Sequence, residues 1–245
     1  MRVWPALGLL AVSLLAVCLQ AGPAAAQALS IDLGSDTGLA GRSITLLALI
    51  TLLSLVPGLA VMITCFPFIV TVLSILRQAI GLQQAPPNML IVSLALFLTW
   101  FVMDPVLTEA WEKRLEPLSR GVTDVQTALP AILSPFRGFM AARLDPDTFA
   151  ALQALRPGEA SAPPDAPLSL LVPSFMLSEI QRAFEIGFLI YLPFLIIDLV
   201  VAAVLMSMGM MMVPPAIVSL PFKLAFFVVA DGWSLISGAL VRSYF

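Results

Sequence analysis

The sequence lacks histidine altogether, and it has only two cysteines, Cys18 and Cys65. Histidine is the commonest general base and the commonest metal ligand, so its absence excludes histidine-based triads and the zinc motifs that need it. Two cysteines cannot supply a cysteine cluster for zinc. The glycine-rich phosphate loop of nucleotide hydrolases is also missing. These absences argue against an enzyme, and they give no reason to expect a cofactor.

Charged residues are scarce as well: they make up 11% of the chain, against about 25% in a soluble domain. Hydrophobic residues make up 60% of the chain, and the mean hydropathy is +1.02. The net charge of −3 provides no basic surface for nucleic acid. The composition therefore predicts a polytopic membrane protein that contacts lipid and does not bind nucleic acid.

The first stretch, 1–26, is typical of a secretory signal peptide. Arg2 supplies the positive start, an apolar core follows, and small alanines lie at 24–26. The alternative is an uncleaved transmembrane helix, but the apolar run is short for a span. We expect cleavage near Gln27, which makes 27–43 a polar periplasmic arm.

A long apolar run at 44–104 predicts a first helical hairpin. Pro57 and Pro67 interrupt the run and mark the expected kinks. Glycine and a pair of prolines at 77–88 predict its turn. The Asp-Pro pair at 104–105 is expected to end the hairpin.

A second predicted hairpin covers 173–245, with a methionine-rich loop at 206–215 between its arms. The intervening stretch 105–172 carries half of the 12 basic residues, and its periodic apolar positions predict amphipathic helices. Prolines at 156–167 predict a flexible linker. If the cleaved N-terminus starts outside, this intervening region is extracytoplasmic. The predicted fold is all-α: two long kinked helical hairpins with an extracytoplasmic helical region between them.

Three charged residues recur at intervals of three near the start of the second hairpin: Glu179, Arg182 and Glu185. Neighbouring members can pair along one helix face. Ser178 and Gln181 predict a capping box, which would make this stretch a helix N-terminus. One interpretation is a solvated first turn outside the membrane. The other is a contact between subunits or the lining of a polar cavity, and the sequence leaves both open.

Asp198 and Lys223 lie within the apolar runs, where an unpaired charge is expensive. Both lie roughly 18–20 Å from the middle of the methionine loop at about 1.5 Å per residue. An antiparallel hairpin therefore brings them to one depth, where they can neutralise each other. The alternative is that each faces a partner chain or a water-filled lumen, as in a secondary transporter or a proton-conducting subunit.

The loop MSMGMMMVPP contains five of the 11 methionines of the chain. Methionine is often core filler, but flexible thioethers can also repack around varied surfaces. Such loops from several copies around an axis would form a deformable seal. A copper(I) site is the alternative, because thioethers bind Cu(I), although no cysteine or histidine accompanies them.

Two stretches carry a specific resemblance: PSFMLSEIQRAFEIGFLIYLPFLIIDLVVAAVLMSMGMMMVPP at 173–215 and SLPFKLAFFVVADGW at 219–233. They resemble the FliP/SctR family of type III export-gate proteins. PFIVTVLSILRQAIGLQQAPPN at 67–88 fits the family more loosely. The methionine density of the loop is closer to the flagellar branch than to the branch of virulence injectisomes.

The resemblance implies a pore-forming structural subunit of the flagellar export gate, which conducts unfolded flagellar proteins across the bacterial inner membrane. Family members form a homo-oligomer, a pentamer by the same resemblance, with the companions FliQ and FliR. The helical assembly contacts other export-apparatus and basal-body proteins and lies largely above the membrane plane. The resemblance also assigns closure of the pore against ions to methionines of the loop: Met208, Met210, Met211 and Met212.

Overall fold

The computed structural model of the protein describes residues 39–82, 86–112, 125–155, 161–210 and 212–245. Every regular element in these ranges is helical, which confirms the all-α prediction. The expected signal peptide and positions 27–38 of the expected arm lie outside the described residues. The chain divides into two compact units, Met1–Leu52 and Leu53–Phe245, and the packing described below is that of the second.

The described residues form eight α-helices. They are α1 (Leu39–Met62), α2 (Phe66–Ile80), α3 (Asn88–Ala110), α4 (Val125–Arg143), α5 (Pro146–Ala154), α6 (Leu168–Ser207), α7 (Pro215–Val229) and α8 (Gly232–Arg242), with a 3₁₀ turn at Pro163–Asp165. Helix α6 has 40 residues and is therefore about 60 Å long.

Helix α2 forms the centre of the core. Its inward side chains recur every three or four residues and are fully buried: Phe68, Ile69, Val72, Leu73, Leu76 and Ala79. The helix packs mainly against α6, and it also contacts α3 and α7. Elements of both predicted hairpins thus share one core, with α2 between them.

Gly187 allows α6 to approach α2 closely. A Cβ atom at this position would lie 2.4 Å from Cδ1 of Ile75 and 3.1 Å from its Cγ2. Both distances are shorter than van der Waals contact, so a larger residue would force Ile75 to move. The absence of a side chain at Gly187 therefore sets the distance between the two helices.

The structure corrects the predicted start of the second hairpin. Helix α6 begins at Leu168, so Ser178 lies well inside it and is buried. The Ser178 hydroxyl donates a hydrogen bond to the Ser174 carbonyl at 2.8 Å and accepts one from the backbone N–H of Asp145 at 2.9 Å. The predicted capping box is wrong because apolar residues upstream, including the buried Leu171, pack on the core and extend the helix.

The first hairpin differs from the prediction at its end. Helix α3 continues through Pro105 to Ala110. Val106 and Leu107 pack against the core, and Ala110 is buried. Packing of these apolar side chains maintains the helix although proline cannot donate its backbone hydrogen bond. Of the predicted kinks, Pro67 lies in the first turn of α2, directly after a break in the helix at 63–65.

The predicted flexible linker is partly a packed turn. Residues 156–160 lie outside the described residues, but 161–167 contain the 3₁₀ turn. Arg137 Nη1 donates hydrogen bonds to the carbonyl oxygens of Pro164 at 3.2 Å and Ala166 at 2.8 Å, and Ala166 is fully buried. An arginine in α4 therefore binds this part of the proline-rich stretch, and the flexibility of 156–167 stays a prediction.

Two of the described helices, α3 and α6, are long and apolar enough to cross a membrane. The number rises to four if each of two bent helix pairs is counted as one span. One of these pairs is α7 with α8, which meet at a bend of 61°. These lengths agree with the predicted polytopic membrane protein.

The close contact at Gly187 can be tested by an alanine substitution with a matched control. Gly187→Ala and Gly138→Ala each replace a glycine within a helix. Because alanine is the better helix former, each change alone should stabilise the helix by about 0.5–1 kcal/mol. At Gly138 the new Cβ meets nothing within 4 Å, so the gain should be retained. At Gly187 overpacking should cost about 1–3 kcal/mol and lower the melting temperature in detergent. An equal rise of both melting temperatures would contradict the close contact.

A second test concerns the cap of α5, where Asp145 Oδ2 accepts hydrogen bonds from the hydroxyl and the backbone N–H of Thr148. These bonds, first the hydroxyl's and then the backbone's, lower the pKa of Asp145 below 3.8. Its contribution to stability is therefore complete above about pH 4 and lost as the pH falls through the folded pKa. Asp145→Asn, which accepts similar bonds without titrating, should lose less stability below about pH 4 than the unsubstituted protein does. If the melting temperatures of the two proteins fell equally as the pH was lowered through this range, a stabilising role of the Asp145 charge would be ruled out.

Candidate functional site

The structure places Asp198 and Lys223 in direct contact across α6 and α7. Lys223 Nζ lies 2.6 Å from Asp198 Oδ2. The Ser219 hydroxyl donates a hydrogen bond to the other carboxylate oxygen, Oδ1, at 2.6 Å. The Lys223 side chain is 6% exposed and the Asp198 side chain 28%, so the pair lies at the edge of the core. The carboxylate neutralises an ammonium group that would otherwise be buried alone.

Lys223 has a second partner that the sequence gave no means of finding. Its Nζ also donates a hydrogen bond to the Ala79 carbonyl at 3.2 Å, in the last turn of α2. The last carbonyls of a helix lack partners within the helix and carry partial negative charge. Lys223 therefore holds the end of α2 against α6 and α7. The Ser219 contact did have a sequence signal, because Ser219 precedes Lys223 by one helical turn.

The methionine-rich loop projects from the end of this helix pair. Helix α6 ends at Ser207, and Gly209 reverses the chain in the left-handed region at φ 73°. The backbone N–H of Met210 donates to the Leu205 carbonyl at 3.0 Å, which closes the helix end. Glycine is the residue that adopts this conformation without strain.

The methionine side chains of this loop are mostly exposed. The exposed fraction is 66% for Met208, 42% for Met210 and 96% for Met212, whereas Met211 lies outside the described residues. Large apolar groups are usually buried in a single chain. An apolar groove of about 550 Å³ runs beside the loop between α6 and α7. Its lining includes Val201, Val204, Leu205, Met208, Met210 and Phe222.

Glu179 does not lie where the predicted subunit contact would place it. It is fully buried, and its carboxylate is 3.2 Å from Arg143 Nε and 3.4 Å from Arg182 Nη1. The Tyr244 hydroxyl also donates a hydrogen bond to it. A carboxylate enclosed in this way is unavailable to a second subunit. The sequence spacing missed Arg143 because it approaches from α4, far away in the chain.

The surroundings of Tyr244 keep its hydroxyl protonated. Burial raises the pKa of Tyr244 well above its ordinary value of 10.0, and the nearby Glu179 charge raises it further. The Arg143 guanidinium lies 4.0 Å from the centre of the tyrosine ring, and Arg143 Nη1 donates to the Ser243 carbonyl at 2.8 Å. These contacts join the segment after α8 to α4 and α6.

The other predicted contact residues differ in position from Glu179. Arg182 is directed toward Glu179, and its side chain is 33% exposed. Glu185 is exposed and accepts a hydrogen bond from Gln181 Nε2 at 3.1 Å. As for metals, the described residues contain no group of three or more acidic, cysteine or histidine side chains suited to an ion.

The Asp198–Lys223 pair can be tested by removing each charge and then both. Lys223→Met leaves a carboxylate without its ammonium and removes the Ala79 contact, so it should cost on the order of 3–5 kcal/mol. Asp198→Asn should cost at least as much, because it leaves the ammonium of Lys223, whose side chain is only 6% exposed, without its carboxylate. The double variant should be more stable than the sum of the two losses implies. Thermal unfolding in detergent measures all three, and strictly additive losses would contradict a direct interaction.

Comparison with known proteins identifies the family. The sequence model of the FliP family matches residues 49–240. The flagellar biosynthetic protein FliP of Caulobacter vibrioides is 49% identical over 229 residues, 91% of this chain and 85% of that protein. The proteins of that name from Rhizobium meliloti and Bacillus subtilis are 43% and 41% identical, covering 96% and 88% of this chain and 98% of each relative. These matches confirm the resemblance drawn from 173–233, and the protein belongs to the FliP family.

Proposed function

We propose that the protein is a structural, non-catalytic subunit of the flagellar protein-export gate in the bacterial inner membrane. Its family membership and the flagellar names of its relatives support a role in flagellar export. The apolar helices α3 and α6 support a position in the membrane. In this proposal several copies, with companions of the FliQ and FliR type, surround a pore for unfolded flagellar proteins.

The observation that carries the proposal is the exposed methionine loop between two long helices. Met208 and Met212 expose most of their apolar surface in the single chain. A pore for unfolded polypeptide must exclude small ions at rest and still accept side chains of every size. Apolar constrictions block ions by dewetting, and methionine side chains can repack around varied surfaces. Met210, Met211 and the two exposed methionines would together form such a closure.

The Asp198–Lys223 contact supports this role by fixing the base of the loop. Asp198 lies about 14 Å before the end of α6, and Lys223 lies about 12 Å after the start of α7, at about 1.5 Å per residue. The pair therefore joins the two arms below the loop, and Ala79 ties them to α2. A loop on a fixed base can deform locally while the surrounding helices keep their packing.

The same contact weighs against the alternative of a proton-conducting subunit or secondary transporter. Such proteins use a charged residue that exchanges its proton with a water-filled path. Lys223 is buried and bound by a carboxylate and a helix end. Asp198 is bound by Lys223 and by the Ser219 hydroxyl. Both groups serve the packing of three helices in this arrangement, so we favour the export-gate role.

The proposed closure is tested by replacing Met210, Met211 and Met212 with alanine together. The constriction should widen while helix packing is preserved, because the described members of this set lie in the loop. The assembled complex should therefore leak ions, and secretion of flagellar proteins should be partly retained. Met89→Ala is the matched control, since Met89 is also exposed, at 80%, but lies at the start of α3.

Membrane conductance of cells making each variant is the readout, together with the amount of complex recovered in detergent. The triple variant should raise conductance at an unchanged amount of complex, and Met89→Ala should leave both unchanged. A fully assembled triple variant with normal conductance would contradict the sealing role. The methionines would then serve ordinary packing between subunits.

A further inference from the structure

Glu185 is an exposed carboxylate on an apolar face of α6. The residues beside it on that face are exposed as well, at 60% for Phe184, 60% for Phe188 and 64% for Leu189. Its contact in the described chain is the hydrogen bond from Gln181, and it forms no ion pair with another described residue. An anion on such a face is poorly accommodated by lipid. A cation from another molecule would stabilise it there.

Arg242 has the opposite charge and a similar situation on α8. It is exposed, and it too forms no ion pair with another described residue. Its guanidinium lies back along the helix over Gly238, where Nη1 would be 3.4 Å from an added Cβ. Leu235 and Phe245, on either side of it in the chain, are 60% and 77% exposed. The guanidinium is thus an exposed cation with exposed apolar residues before and after it in the chain.

Glu185 and Arg242 can be compared by their level along the axis of α6. Trp233, at the start of α8, packs on Phe227 of α7, which contacts Phe194 of α6, whereas Tyr244, after the end of α8, bonds to Glu179. The chain from Trp233 to Tyr244 therefore returns along α6 toward Glu179. Gly238 and Glu185 are each six residues, or about 9 Å, from the Tyr244–Glu179 contact. By this residue count, the guanidinium over Gly238 and the Glu185 carboxylate lie at a similar level along α6.

We propose that Glu185 of one copy pairs with Arg242 of the neighbouring copy. The two groups lie on different helices at a similar level, so copies placed side by side around an axis parallel to α6 bring them together. Such a contact joins two different surfaces and can continue from copy to copy until a ring closes. The exposed phenylalanines beside Glu185 and the exposed leucine and phenylalanine beside Arg242 would be buried by the same contact. This inference rests on the proposed assembly of several copies.

Charge exchange is the first test. Glu185→Arg or Arg242→Glu alone places like charges opposite each other and should reduce the recovered oligomer at least about tenfold. The double variant, with both charges exchanged, should restore it to within about threefold of the unsubstituted protein, because the attraction is re-formed. An unchanged yield of oligomer from the single variant Glu185→Arg would overturn the pairing.

Cross-linking separates neighbouring copies from other arrangements. One tagged chain carries Glu185→Cys and a differently tagged chain carries Arg242→Cys, both with Cys18→Ala and Cys65→Ala. A short bismaleimide is required, because a disulfide needs Cα atoms within about 7 Å and the paired side chains separate the helices further. Covalent dimers containing both tags are expected. A chain with Leu199→Cys replaces the Glu185 variant as control, since Leu199 is exposed on α6 about 21 Å farther along.

The other possible results of the cross-linking experiment each contradict a specific part of the proposal. Dimers between two Glu185→Cys chains would indicate a symmetric face-to-face contact and overturn the proposal. No mixed dimers, from complexes that still contain several copies, would assign these charges to another protein or to lipid headgroups while leaving the export-gate role intact. A purified chain that is monomeric with its companions present would instead contradict the proposed function itself.

Discussion

The contact on which the rest of the structure depends is the one Lys223 makes with a carboxylate and a helix end. Its ammonium binds Asp198 on α6 and the Ala79 carbonyl of α2, and it projects from α7. Aliphatic packing is not directional, so an apolar chain has few interactions that single out one pairing of polar groups between its helices. A buried charge with two fixed partners supplies such an interaction. The methionine loop, at the end of the same helix pair, thereby acquires a defined base.

A second polar centre has the same role at the other end of α6. Glu179 is enclosed by Arg143, Arg182 and Tyr244, which belong to α4, to α6 and to the segment after α8. Between the two centres α6 contacts α2 closely through Gly187. The inner face of the long helix is thus specified by a few polar and small residues. Its outer face is largely apolar and exposed in the single chain, with Glu185 as a charged exception.

The sequence allowed the all-α class, the methionine loop and the depth of Asp198 and Lys223 to be predicted, because these follow from hydropathy and helix geometry. It misplaced Glu179, since Arg143 reaches it from a helix distant in sequence. The start of α6 was also predicted too late, because Ser178 and Gln181 match the capping-box pattern. The packing of Leu171, which extends the helix upstream, is a tertiary effect that this pattern does not contain. The Ala79 contact was invisible because a backbone carbonyl has no sequence signature.

The most direct test of the account is a density map of the complete complex purified from membranes, with the positions of its methionine loops resolved. The account predicts that the loops of all copies converge on one central axis, with thioether groups in mutual contact across a closed pore. The helix pairs behind them should retain the contact between Asp198 and Lys223. Loops that face lipid, or that lie on the outer surface of the complex away from any axis, would contradict the central claim.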